Sequence, residues 1–176
     1  MLALKLCLGR RSRVRPSLTA VITVSTRAST GVWDDRSGPV LRDGIAAWGL
    51  AVDGPLVVSD GEPVESALRD AVAASYDLVV TTGGTGLTPT DLTPEMTARV
   101  IDREIPGIAE AIRAAGVAQG VPTAVLSRGR AGTAGRTLIV NLPGSTGGVR
   151  DALVVLAAVV PHALDQIPGS DHLRTD

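Results

Sequence analysis

Phenylalanine is absent from this chain of 176 residues, tyrosine occurs once and tryptophan twice, so a core built on aromatic packing is ruled out. Hydrophobic residues nevertheless make up 44% of the chain, and the interior must therefore be aliphatic: Ala, Val, Leu and Ile. The single cysteine, Cys7, excludes an intrachain disulfide and a thiolate metal cluster, and suits a reducing compartment such as the cytoplasm. Two histidines, His162 and His172, are too few and too late in the chain for a histidine metal site, and no serine–histidine–carboxylate set is readable. Lys+Arg number 17 against 18 Asp+Glu, so the basic excess that nucleic-acid binding calls for is missing. No apolar run approaches the ~20 residues that cross a bilayer, and a membrane partner is not expected.

One domain is the default at this length, because two cores would leave each half near the lower limit of independent folding. The first acidic residue is Asp34, after Lys5, Arg10, Arg11, Arg13, Arg15 and Arg27. Residues 1–17 therefore read as a basic extension, disordered or an over-long start. A secretory signal is discounted because Leu2, Leu4, Leu6 and Leu8 precede the arginines; an organelle transit peptide is the alternative. Residues 18–167 form the predicted domain and 168–176 a tail.

Within that domain, apolar runs alternate with helical periodicity. Residues 18–24 read as a β-branched strand, followed by a polar loop and a helix carrying Leu41, Ile45 and Trp48 that Gly49 closes. Residues 56–58 read as a short strand ending at Ser59 and Asp60, and Val64, Leu68, Ala71 and Val72 mark the next helix. The strand over 77–82 is apolar enough to be covered on both faces, as in parallel sheets. Thr93-Pro94-Glu95 signals a helix start with a hydroxyl cap, and Val100 and Ile101 should face inward. Another helix opens at Pro106, a strand spans 137–141, and a long apolar helix runs from about 148 to 160. The pattern predicts an α/β fold with an open, mainly parallel sheet and helices on both faces.

Three glycine-rich or polar turns follow apolar runs: Thr82-Gly83-Gly84-Thr85-Gly86, Ser127-Arg128-Gly129 and Asn141-Leu142-Pro143-Gly144-Ser145. Such turns lie at the carboxyl edge of open α/β sheets, where ligands bind. Glycines let backbone N–H groups approach an anion, and a helix starting after each turn would add partial positive charge, so phosphate is the natural guest. Each could instead be a plain tight turn. Neither a Gly-Lys-Ser/Thr phosphate loop nor Gly-x-Gly-x-x-Gly after the first strand is present. Asp60 and Asp91 could face the same cleft and hold Mg²⁺, which takes one or two carboxylates plus substrate phosphates; as turn or capping residues they would need no ligand. Glu95 has a helix-stabilising reading of its own. Arg128 could pair a phosphate bidentately or be an ordinary surface arginine. Ser127, Asn141 and Ser145 offer directional hydrogen bonds to a pterin edge or phosphate, or simply make turns.

Asp35-Arg36-Ser37-Gly38, Thr82 to Gly86, Asp91-Leu92-Thr93-Pro94-Glu95, Ser127-Arg128-Gly129 and Asn141 to Ser145, in this order, resemble the motifs of the bacterial molybdopterin adenylyltransferases. The plant adenylylating domain and the N-terminal domain of gephyrin are similar. The resemblance implies a three-layer α/β/α fold, usually a homotrimer, which binds molybdopterin and reacts it with Mg²⁺-ATP. It further implies that Asp60 and Asp91 are the acidic, metal-binding catalytic pair. Thr82, Gly83, Gly84, Thr85, Gly86, Glu95, Ser127, Arg128, Gly129, Asn141, Pro143, Gly144 and Ser145 would bind substrate and nucleotide. Molybdate insertion would fall to another protein, because no second domain is visible in this chain. Ser59 stands where the family often has proline, and the leader has no counterpart there. A carrier of the same fold that binds molybdopterin without turning it over, and an oxidoreductase holding a dinucleotide, are the competing readings.

Overall fold

The structure, a computed structural model, describes residues 17–169; Cys7, His172, the basic extension and most of the expected tail lie outside the described residues. A six-stranded sheet has the order β2-β1-β3-β6-β5-β4. Its strands are β1 (Leu18–Val24), β2 (Ala51–Val58), β3 (Leu78–Thr82), β4 (Arg103–Glu104), β5 (Ala131–Ala134) and β6 (Thr137–Leu142). β2, β1, β3 and β6 run parallel, whereas β5 and β4 add an antiparallel edge. The helices are α1 (Thr26–Ser29), α2 (Ser37–Ala46), α3 (Glu62–Ala73), α4 (Thr93–Ala98), α5 (Pro106–Ala118) and α6 (Thr146–Gln166), with a 3-10 turn over Pro122–Leu126.

Strand alternation divides the core into two layers. Val21, Leu78, Val80, Leu138 and Val140 pack with residues of α2, α5 and α6 on one face. Ile22, Val79 and Ile139 pack with residues of α3 and α4 on the other. Every residue of β3 and β6 is buried, as strands covered on both sides must be. The expected three-layer α/β/α architecture is the one found.

Local sequence accounts for the departures. β2 begins at Ala51, well before residue 56, because Asp53-Gly54-Pro55 interrupts the pattern at a register shift opposite β1. Glycine and proline are tolerated there because β2 is an edge strand. Thr93 is not the cap of α4; Leu92 holds that position without a side-chain bond, and Thr93 lies inside the first turn. α6 is 21 residues long and, contrary to the sequence expectation, apolar enough by length and composition to cross a membrane. Its Val149, Ala152, Leu156, Val160 and Leu164 are instead the stripe that closes one core layer.

Strand order reverses around β1: the chain passes from β1 to β2 on one side, then to β3 on the other. In open parallel sheets this leaves a crevice beyond the carboxyl ends of the two diverging strands. Here those ends are Val24 and Thr82.

Candidate active site above the parallel strands

The three turns meet at this crevice. Gly83 N–H donates to the Leu142 carbonyl at 3.1 Å, and the Thr82 hydroxyl donates to the Pro143 carbonyl at 2.7 Å, which joins the β3 and β6 turns. The contact is close enough that a Cβ on Gly144 would lie 3.2 Å from the Gly83 Cα. Arg128 N–H donates to the Thr85 carbonyl at 2.9 Å and brings in the third turn. A Cβ on Gly129 would fall 2.9 Å from the Asn141 carbonyl oxygen. Buried Asn141 donates from its side-chain amide to the Thr81 and Thr97 hydroxyls, while its Oδ1 accepts from Arg130 N–H. It therefore braces the turns from beneath.

Two cavities open over this junction. The first, of about 730 Å³, is lined by the Gly84–Gly86 segment, Asp91, Ser127 and Ser145, and by the apolar side chains of Ile112 and Leu126. The second, of about 680 Å³, lies over the end of β1 and is bounded by Ser25, Trp33, Asp35 and Ser37. Gly84 and Gly144 belong to both walls. The wall common to the two hollows is thus glycine backbone.

Only one turn leads directly into a long helix. Ser145 caps α6, its hydroxyl accepting from Gly148 N–H at 3.1 Å, so the positive end of a 21-residue helix faces the first cavity. The β3 turn reaches only the six-residue α4, and Ser127-Arg128-Gly129 is followed by β5. The expectation of a helix start behind every turn thus fails for that third turn.

The two aspartates flank the same glycine segment. Asp60 Oδ2 accepts from the N–H and hydroxyl of Thr26, at 3.3 and 2.9 Å. Its Oδ1 is buried without a partner, as is the hydroxyl of Thr93. A Cβ on Gly84 would lie 2.6 Å from the first atom and 2.3 Å from the second. Asp91 Oδ2 accepts from Thr88 N–H and hydroxyl at 2.8 and 2.7 Å, and would stand 2.8 Å from a Cβ on Gly86. Unpaired buried carboxylate oxygen is costly, so the Asp60 atom marks a place where a cation or donor belongs.

Arg128 serves a different end from the bidentate anion clamp considered from sequence. Its Nε donates to the Gly86 carbonyl at 2.8 Å, one terminal nitrogen donates to the Asp91 carbonyl at 2.5 Å, and the other pairs with the Glu95 carboxylate. Asp60, Thr82, Glu95, Arg128, Gly129 and Asn141 line neither cavity. The guanidinium ties the glycine turn to the Asp91 loop and to α4. Desolvation alone would raise the Glu95 carboxyl, but the hydrogen bond from Arg128, a backbone hydrogen bond and the charges of Arg128 and Arg130 outweigh it and hold it below its ordinary value. A carboxyl depressed in the folded state stabilises above its unfolded pKa and loses that contribution as pH falls through the folded value. Because Glu95 is 44% exposed, Glu95→Gln is expected to lower the melting temperature by only about 1–3 °C at neutral pH. That difference should shrink as pH falls below the ordinary carboxylate value and vanish only below the depressed folded value; a gap that persists in stronger acid would show that the pair contributes nothing through charge.

A family model described as a probable molybdopterin binding domain matches residues 20–162. The chain belongs to this molybdopterin-binding family. It is 36% identical over 154 residues to the molybdopterin adenylyltransferase of Helicobacter pylori strain J99, a match covering 85% of this chain and 87% of that protein. It is also 37% identical to the molybdenum cofactor biosynthesis bifunctional protein of Chlorobaculum tepidum, where the match covers 88% of this chain but about half, 49%, of the longer protein. Among solved structures, the molybdopterin biosynthesis Mog protein of Mycobacterium ulcerans is 54% identical with a TM-score of 0.83, covering 89% of this chain and 99% of that one.

Several residues that line these cavities are not marked as site residues by the sequence. Arg113, on α5, lines the first cavity and donates to the Ser127 and Gly129 carbonyls. Asp35 holds the base of the second: Oδ1 accepts from Gly38 N–H at 2.9 Å and Oδ2 from the Thr23 hydroxyl at 2.7 Å. Trp33 is 60% exposed at that cavity, with the Arg27 guanidinium 4.3 Å from its ring centroid. The signal in the sequence is indirect: the Asp35 to Gly38 motif carries the family resemblance but not the contacts of its side chains.

Proposed function

We propose that the chain acts in molybdenum cofactor biosynthesis as a molybdopterin adenylyltransferase. In this reading it transfers AMP from Mg²⁺-ATP to the terminal phosphate of molybdopterin and releases pyrophosphate. The observation that carries the reading is the pair of adjoining cavities that share Gly84 and Gly144 as common wall. A group transfer between two bound anions needs their phosphates in contact, and a shared partition of glycine backbone permits it.

The residues have separable tasks. N–H groups of the Gly84–Gly86 turn and of the first turn of α6, which line the first cavity together, orient phosphate oxygens beside the partition. An oxygen of the molybdopterin phosphate forms a bond to the α-phosphorus of ATP as the bond from that phosphorus to the bridging oxygen of the β-phosphate breaks. The electron pair leaves with pyrophosphate. No general base is assigned, because the attacking phosphate is already ionised near neutral pH.

The acidic pair fits a Mg²⁺ ion bound mainly through substrate. Asp60 Oδ1 is buried and unpartnered, and Asp91 uses only Oδ2 toward Thr88. Mg²⁺ is commonly held by one or two carboxylates, with substrate phosphates and water completing its shell. Such an ion supplies charge neutralisation between two repelling anions. Incubating the protein with purified molybdopterin and Mg²⁺-ATP should yield a pterin–AMP conjugate with stoichiometric pyrophosphate, read by mass spectrometry. Saturable pterin binding with no conjugate would overturn the reading.

A further inference from the structure

Two charged side chains on the wall of the first cavity, Arg113 and Asp151, are used by neither the sequence motifs nor the proposed chemistry. That wall carries three charged residues. Asp91 is tied to Thr88 and Arg113 to the Ser127 and Gly129 carbonyls, whereas no hydrogen bond or ion pair engages Asp151 among the described residues. It is half-buried at the sixth position of α6. Helical side chains lean toward the N-terminus, which carries this carboxylate back over Gly147 and Gly148 one turn earlier. Both glycines line the same cavity as Asp151, and a Cβ on Gly147 would meet nothing within 4 Å, so the helix face beside the carboxylate is open at that position. Electrostatic support of the helix does not account for the residue, because the macrodipole acts within the first turn and Asp151 lies beyond it.

A carboxylate only accepts, with two oxygens side by side, and its complement is a pair of adjacent N–H donors on a flat group. The 2-amino-4-oxopyrimidine edge of a pterin offers that pair, at the ring N3–H and the exocyclic 2-amino group. Adenine does not: beside its 6-amino donor stands the N1 lone pair, which a carboxylate repels. The rest of the wall, with Ile112, Val121 and Leu126, suits a planar heterocycle. We infer that Asp151 is the specificity-determining residue that reads the pterin edge, which places the pterin in the first cavity and leaves the second to the nucleotide. This inference rests on the proposed reading for its substrate class.

Neopterin monophosphate and its lumazine counterpart, in which a 2-oxo group replaces the 2-amino group, provide the test through quenching of their own fluorescence. The wild-type protein should bind the pterin roughly 10- to 100-fold more tightly, the effect of one charge-assisted hydrogen bond exchanged for a repulsion. Asp151→Asn offers one acceptor and one donor and should reverse the preference toward lumazine; Asp151→Ala should abolish it. Equal affinity of the wild-type protein for both compounds, binding of neither, or an unchanged preference in a folded Asp151→Asn variant would overturn the inference. The adenylyl-transfer assay is scored separately. Discrimination without pterin–AMP formation sinks the proposed reaction and leaves Asp151 as a pterin reader, whereas transfer without discrimination sinks only this inference.

Discussion

Gly83→Ala is expected to destabilise the fold by roughly 2–6 kcal/mol, from backbone strain combined with overpacking. Gly83 has φ +103, and an added Cβ would fall 2.2 Å from the Val24 carbonyl oxygen. That oxygen is backbone at the end of a buried strand and cannot swing aside as a side chain would. Against a typical domain stability of 5–15 kcal/mol, the loss corresponds to a fall of roughly 5–20 °C in melting temperature. Gly135→Ala is the control. Gly135 also has positive φ, +55, but its Cβ would meet nothing within 4 Å, so it reports strain without collision. If calorimetry finds the two variants equally stable, the close approach of β1 and β3 at this point is not as described.

The second large effect concerns chemistry and not folding. Asp60→Asn and Asp91→Asn should each lower pyrophosphate release on the order of a hundred- to a thousandfold, the range seen when a preorganised electrostatic group is removed from a reacting site. Asparagine keeps a carbonyl oxygen that can still accept from Thr26 or from Thr88, so both loops should hold and the melting temperature should stay near that of the wild type. Pterin binding should survive as well. A carrier of the same fold would lose nothing in either variant, and full pyrophosphate release by the double variant would remove both aspartates from the mechanism.

Much of the fold was readable because the strongest signals were local. Strand β1 lies over the predicted residues, and β3 and β6 differ from prediction by one residue at an end, since runs such as Leu78-Val79-Val80 have no alternative to burial. The antiparallel edge was missed because Ala131-Gly132-Thr133-Ala134 contains no large apolar residue to mark a strand. A hairpin clue was present in Gly135-Arg136, the two residues between paired Ala134 and Thr137, but the surrounding composition masked it. At the site, periodicity located the glycine turns but could not say what their neighbours do. Arg128 could be an anion ligand by its glycine flank, which suggests access, yet three of its five N–H donors go to two carbonyls and Glu95. Asp151 was invisible for the opposite reason: on a helix it resembles any solvated carboxylate until it is seen on the cavity wall beside Gly147 and Gly148.

The thinness of the wall at Gly84 and Gly144 has a thermodynamic corollary. A guest that presses on one side of so slight a barrier changes the shape and charge met by a guest on the other. Any factor by which the first occupant alters the affinity of the second must then be returned in full when the order of arrival is exchanged. Measured separately and together, the two dissociation constants should therefore close a thermodynamic cycle whose corner term differs from zero.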